Sequence, residues 1–162
     1  AAWITKSLRS GGKILVCGNG GSAADSQHFA AEMIGRFQRE RRGWPAIALT
    51  TDTSCLTSLA NDYSFDIVFE RQIEALATAK DILVAISTSG QAKNVLAAVK
   101  KAKRIGAKTI GLTGKGGGGL ARMTDLALVM PGATTARVQE LHVCVIHILS
   151  ELVENALSAK KK

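Results

Sequence analysis

His28 and Glu32 stand four residues apart among small residues, with Ala23, Ala24, Ala30 and Ala31 around them. On a helix that spacing stacks the two side chains on one face. An imidazole and a carboxylate so placed could move protons or share a metal ion, and they also suit an ordinary surface pair. Near the end of the chain, Gln139, Glu140, His142 and His147 interrupt a run that is otherwise largely apolar. A histidine in such a helix usually serves the core. Gln139 and His147 are eight residues apart, about 12 Å along a helix axis, so they could share one ligand only if it lay between them. Two imidazoles, one carboxylate and one amide oxygen suit zinc or another borderline divalent ion, provided the two helices face each other. Spacing alone leaves that open.

Two further stretches offer anion chemistry. Ile82-Leu83-Val84-Ala85-Ile86 runs into Ser87-Thr88-Ser89-Gly90, and a helical pattern follows from Asn94 to Arg104. Three hydroxyls and a glycine before a helix N-terminus, with its free N–H groups and partial positive charge, can hold a phosphate; they also make a plain cap. Gly18-Asn19-Gly20-Gly21-Ser22 likewise follows a short apolar run and precedes a helical stretch. It can cradle a phosphate or a sugar, or form a tight turn, with Ser22 as a candidate N-cap. It is not a GxGxxG fingerprint and no Walker lysine follows, which disfavours nucleotide binding.

The elements needed to position these groups can be read along the chain. Helices are expected over 1–9, 23–36, 54–60, 65–78, 94–104, 120–123 and 135 to about 159. Strands are expected over 13–17, 46–49, 82–86, 108–112 and 126–129, with 113–119 a glycine-rich loop and 39–45 a polar connection. Five uninterrupted apolar residues at 82–86 suit a strand covered on both faces. Strands alternating with helices give the α/β class, with a parallel sheet of about five strands. Such sheets bind ligands beyond the carboxyl ends of their strands, which should gather the loops at 18–22, 50–53, 87–91 and 113–119.

At 162 residues, with no internal repeat or linker, the chain is sized for one domain. No uninterrupted apolar run approaches the roughly 18 residues of a membrane span. Residues 1–8 read as the tail of a helix whose start is missing, and no signal peptide is evident. The three cysteines are odd in number and far apart, which argues against a disulfide framework or a thiolate metal site and suits a reducing cytosol. The net charge of +8 is spread over Arg39-Arg41-Arg42, Lys100-Lys101-Lys103-Arg104 and the tail Lys160-Lys161-Lys162, with few aromatics between. That distribution reads as solvated faces rather than a nucleic-acid surface.

Taken together, the motifs resemble those of bacterial phosphoheptose isomerases of the sugar isomerase (SIS) fold. The resemblance is carried by Cys-Gly-Asn-Gly-Gly-Ser at 17–22, Gln27-His28-Phe29-Ala30 with Glu32, Pro45-Ala46-Ile47-Ala48, Asn61-Asp62, Ile86-Ser87-Thr88-Ser89-Gly90, Leu112-Thr113-Gly114, and Val138-Gln139-Glu140-Leu141-His142 through His147. It covers nearly the whole chain in order. The resemblance implies a three-layer αβα sandwich around a five-stranded parallel sheet, as one SIS domain over residues 1–162. It implies an aldose–ketose isomerase acting on D-sedoheptulose 7-phosphate through an enediol, the first step towards the heptose of lipopolysaccharide. By this resemblance Ser87, Thr88 and Ser89 hold the phosphate; Asn19, Gly20, Gly21, Asn61 and Asp62 line the sugar; and Ser22, Glu32 and Gln139 also bind substrate. His28, Glu32, Gln139 and His147 match zinc-binding positions, and Glu32 and His147 also match the catalytic pair. The family is typically a cytoplasmic homotetramer with sites between subunits; neither a membrane nor a nucleic acid is expected as a partner.

Two features depart from the family pattern. Ala92 stands where a phosphate-binding serine is usual, leaving Gln91, Lys93 or a backbone N–H to substitute. The N-terminal helical segment is also shorter. Two other readings share the fold: a non-catalytic SIS protein that binds the replication initiator, and a sugar-phosphate-sensing module. Retention of both Glu32 and His147 favours the enzyme over the first, and a length with no room for a DNA-binding domain disfavours the second.

Overall fold

The computed structural model describes residues 1–158. The expected Ala159 end of the last helix and the basic tail 160–162 lie outside the described residues. The elements run α1 (Ala2–Arg9), β1 (Ile14–Cys17), α2 (Gly21–Ile34), β2 (Ala46–Ala48), α3 (Thr53–Asp62), a 3-10 turn (Phe65–Ile67), α4 (Val68–Leu76), β3 (Ile82–Ser87), α5 (Lys93–Ile105), β4 (Lys108–Thr113), α6 (Gly118–Met123), β5 (Leu126–Val129) and α7 (Thr135–Ser158). The strands form one parallel sheet in the order β2-β1-β3-β4-β5.

Side chains on successive strand residues alternate between the two faces, and β3 divides its apolar run accordingly. Ile82, Val84 and Ile86 join Phe29, Met33, Ile146, Leu149 and Val153 beneath α1, α2 and α7. Leu83 and Ala85 join Ile73, Val95, Ala98, Val99 and Leu120 beneath α4, α5 and α6. Every residue of β3 is buried, as the uninterrupted run predicts for a strand covered on both faces. Cys17, on the second face, is fully buried, and burial pushes its thiol up to about 12.

Strand order reverses direction between β1 and β3, the switch point of a doubly wound sheet. Cys17 lies opposite Ala85, so the loops leaving the two strands emerge side by side. The chain's two anion-type motifs therefore meet in space although about 65 residues apart in sequence.

Three expectations are corrected. Ser22 is not the N-cap of α2: Gly20 takes that place at φ 56°, a backbone region that favours glycine, and Ser22 sits buried inside the first turn. The helix expected over 65–78 opens as a 3-10 turn and ends at Leu76. Read over its whole length, α7 is long and apolar enough to cross a membrane by length and composition, although no single apolar run shows this. Here Val138, His142, Ile146, Leu149 and Val153 of that helix are buried in the fold.

Candidate active site

Helices α2 and α7 pack side by side over the first face, with Gly21 against Gln139 near their N-terminal ends and His28 against His147 about two turns further on. His28 Nε2 lies 2.9 Å from Glu32 Oε1 and 3.3 Å from His147 Nε2. The two imidazole rings meet edge-on with centroids 5.0 Å apart. One ligand atom from each of His28, Glu32 and His147 lies within 4.8 Å of the others. A single hydrogen on His28 Nε2 can serve only one of its two neighbours. Three lone-pair donors thus converge where a divalent cation would satisfy all of them, and two imidazoles with a carboxylate are the donor set zinc accepts. The donor chemistry fits the metal.

A cavity of about 300 Å³ opens at the N-terminal ends of the same two helices, about two turns from the cluster, lined among others by Asn19, Gly21, Ser22, Ser87–Ser89, Ala92, Thr135 and Gln139. Hydroxyls from Ser22, Ser87, Thr88, Ser89 and Thr135 dominate its polar wall. Gly90, at φ 65°, packs so closely on the Gly117 carbonyl that a side chain there would collide, and its own carbonyl accepts from Leu120 N–H at 2.9 Å. The serine loop is thereby held from behind by the glycine-rich segment. Gln139 lies flat against Gly21, where no Cβ could fit without moving it.

Asn94 was not singled out by its sequence. It is 3% exposed, and its amide exchanges two hydrogen bonds with Asn19, at 2.8 and 2.9 Å. This pair ties the glycine loop after β1 to the start of α5. Asn19 therefore acts on the cavity through its place in the loop while its amide is engaged with Asn94. Thr135 was also missed; it opens α7 and brings a hydroxyl to the cavity mouth. Neither residue belongs to a recognisable local pattern, so only the fold reveals them.

Other expected residues fall outside the cavity. Asn61 and Asp62 are exposed at the end of α3, hydrogen-bonded to each other at 2.8 Å. Ala92 lines the cavity, whereas Gln91 and Lys93 do not; Lys93 Nζ lies 3.8 Å from Asp66. His142 is fully buried, its Nε2 3.2 Å from the Thr113 carbonyl; burial holds its imidazole below the usual range, against that hydrogen bond. It serves the core and joins neither cavity nor cluster. A larger concavity, about 630 Å³, lies between α1 and the later turns of α7 and includes none of these residues.

Residues 1–114 match the SIS domain family. The chain is 55% identical over 153 residues to a phosphoheptose isomerase of Aliarcobacter butzleri, covering 94% of this chain and 81% of that protein. The solved phosphoheptose isomerase of Neisseria gonorrhoeae superposes with a TM-score of 0.90 at 48% identity, covering 95% of this chain and 82% of that one. The Francisella tularensis phosphoheptose isomerase superposes with a TM-score of 0.92 at 39% identity over the same shares.

Proposed function

The chain belongs to the SIS domain family, and from that premise we propose that it is an aldose–ketose isomerase converting D-sedoheptulose 7-phosphate to D-glycero-D-manno-heptose 7-phosphate. The observation that carries this reading is that α2 and α7 together carry a proton-transfer cluster, Glu32 with His28 and His147, and, about two turns away, the wall of a cavity rich in hydroxyl residues and large enough for a sugar phosphate.

The phosphate is held by Ser87, Thr88, Ser89 and Ser22, with the free N–H groups at the start of α5 completing the cradle. Thr135 adds the hydroxyl that Ala92 lacks. The sugar lies along the Asn19-Gly20-Gly21 loop, and Gln139 orients its reacting end. Glu32 takes a proton from C1 of the ketose and returns it to C2. His147 donates a proton to the C2 oxygen and accepts one from the C1 oxygen, so the carbonyl moves to C1 with atoms and charge balanced. His28, Glu32 and His147 would hold one zinc ion, with Gln139 as the further ligand that the family resemblance implies, and the ion would supply charge stabilisation for the enediolate.

The functional unit in this reading is a homotetramer. Ile148 and Leu152 are about half exposed on α7, an apolar strip that a second copy would cover, and a neighbouring subunit would bring Asn61 and Asp62 to a cavity they do not reach within one chain. A cytoplasmic setting agrees with three free cysteines. Glu32→Gln tests the assignment: turnover should fall by at least about a thousandfold while sugar-phosphate binding persists. Near-normal turnover in that variant would remove Glu32 as the base.

A further inference from the structure

The segment after α2 is tied down by one carboxylate. Glu154 lies seven residues beyond His147 on α7, two turns along the same face, and is 2% exposed. It accepts three successive backbone N–H groups, from Phe37 at 3.1 Å, Gln38 at 2.9 Å and Arg39 at 3.0 Å, and Arg41 Nε at 2.9 Å. Burial pushes this carboxyl up, but those donors outweigh it and hold it below the ordinary range. Arg41 was read from sequence as part of a solvated basic cluster, yet its side chain is only 6% exposed. Its guanidinium lies 3.6 Å over the Trp44 ring and donates to the carbonyls of Glu32 at 2.8 Å and Met33 at 3.0 Å.

Both ends of this clamp reach the reacting groups. The Phe37 ring lies 5.8 Å from the His147 ring, tilted by 38°, on a segment whose neighbours at 38–40 are exposed. Arg41 caps the last turn of α2, the turn that carries Glu32. We infer that Glu154 and Arg41 are positioning residues for the isomerase: their ion pair seats Phe37 against His147 and fixes the α2 turn bearing Glu32, so that base and imidazole keep their mutual geometry. This rests on the isomerase reading above for its catalytic consequence, but not for its geometry.

The test separates the two. The Cε1–H resonance of His147 reports the ring current of Phe37, and with three histidines in the chain it is readily assigned. Phe37→Ala, which leaves the backbone donor to Glu154 in place, sets the endpoint of that shift. Glu154→Gln should move the His147 resonance at least halfway to that endpoint, and Glu154→Asp should move it less. In both Phe37→Ala and Glu154→Gln, kcat should fall by about tenfold with KM within twofold, the size expected when a group supporting a reacting side chain is lost. If Glu154→Gln does not fold, Arg41→Lys, which keeps the charge and loses the planar fork, is read in the same way. A folded Glu154→Gln with an unmoved His147 resonance, or with wild-type kcat, overturns the inference. The resonance is measured without substrate, so failure of the wild type to isomerise would sink the functional reading while leaving this readout intact.

Discussion

Replacing Gly21 with Ala separates stability from chemistry at this site. Gly21 has ordinary negative φ, so its backbone accepts alanine without strain. The added methyl would stand 2.9 Å from Gln139 Cδ and overlap the amide nitrogen, and ordinary contact begins near 3.4 Å. The obstructing atoms form the tip of a flexible side chain, so the overpacking cost stays near the low end of its usual range of about 1–3 kcal/mol. Alanine in the first turn of α2 returns up to about 1 kcal/mol of helix propensity. Net stability should therefore change by no more than about 1 kcal/mol. Gln139, however, has to move by about 1 Å, a misplacement that in an active site costs roughly 100-fold. At 1.36 kcal/mol per tenfold, that is about 2.7 kcal/mol of lost transition-state stabilisation. The assay is kcat/KM on sedoheptulose 7-phosphate beside a thermal melt. Because both changes act on one amide, Gln139→Ala should cost about as much, and the double variant little more than either alone. A Gly21→Ala protein with kcat/KM within threefold of wild type would refute the placement of Gln139 in the reacting site.

Other outcomes follow from the same contacts. Asn94→Ala removes both bonds to Asn19, which should cost about 1–3 kcal/mol in denaturant unfolding and raise KM for the sugar phosphate as the glycine loop loosens. Asp81 is pushed up by burial but pulled further down by Lys13 N–H, Lys13 Nζ and Thr78 N–H, all within 2.8 Å, so its folded carboxyl lies below its unfolded value. A depressed carboxylate stabilises the fold above its unfolded pKa near 4, and that contribution is lost as pH falls through the folded value. Asp81→Asn should therefore melt lower than wild type at pH 7, with the gap closing towards pH 3; a gap constant across that range would contradict the assignment.

Much of this architecture is legible in the residues. Five apolar residues at 82–86 suit a strand covered on both faces, as β3 is, and the hydroxyls after it mark the strand's carboxyl end. The four-residue spacing of His28 and Glu32 fixes a shared face. What spacing cannot supply is which second helix faces them, since His147 is about 120 residues away and reaches them only through the packing of α7 on α2. Charge misleads at Arg41, because a guanidinium beside other basic residues looks solvated until a buried Glu154, over 110 residues distant, takes it in. Ser22 misleads for a related reason: serine favours a cap, but the turn demands positive φ two residues earlier, at Gly20, and pulls Ser22 into the helix. Asn94 and Thr135 carry no local signal, as their partners are assembled by the sheet's switch point. Asn61 and Asp62 stay apart from the cavity because one chain does not bring the end of α3 to it.

The most direct test of the isomerase reading is an NMR time course of the protein with sedoheptulose 7-phosphate in deuterated water, with and without added zinc. The account predicts aldoheptose 7-phosphate carrying deuterium at C2, formed fastest with zinc present. Saturable binding of the sugar phosphate with no aldose in either condition would contradict it and leave a binding module in its place.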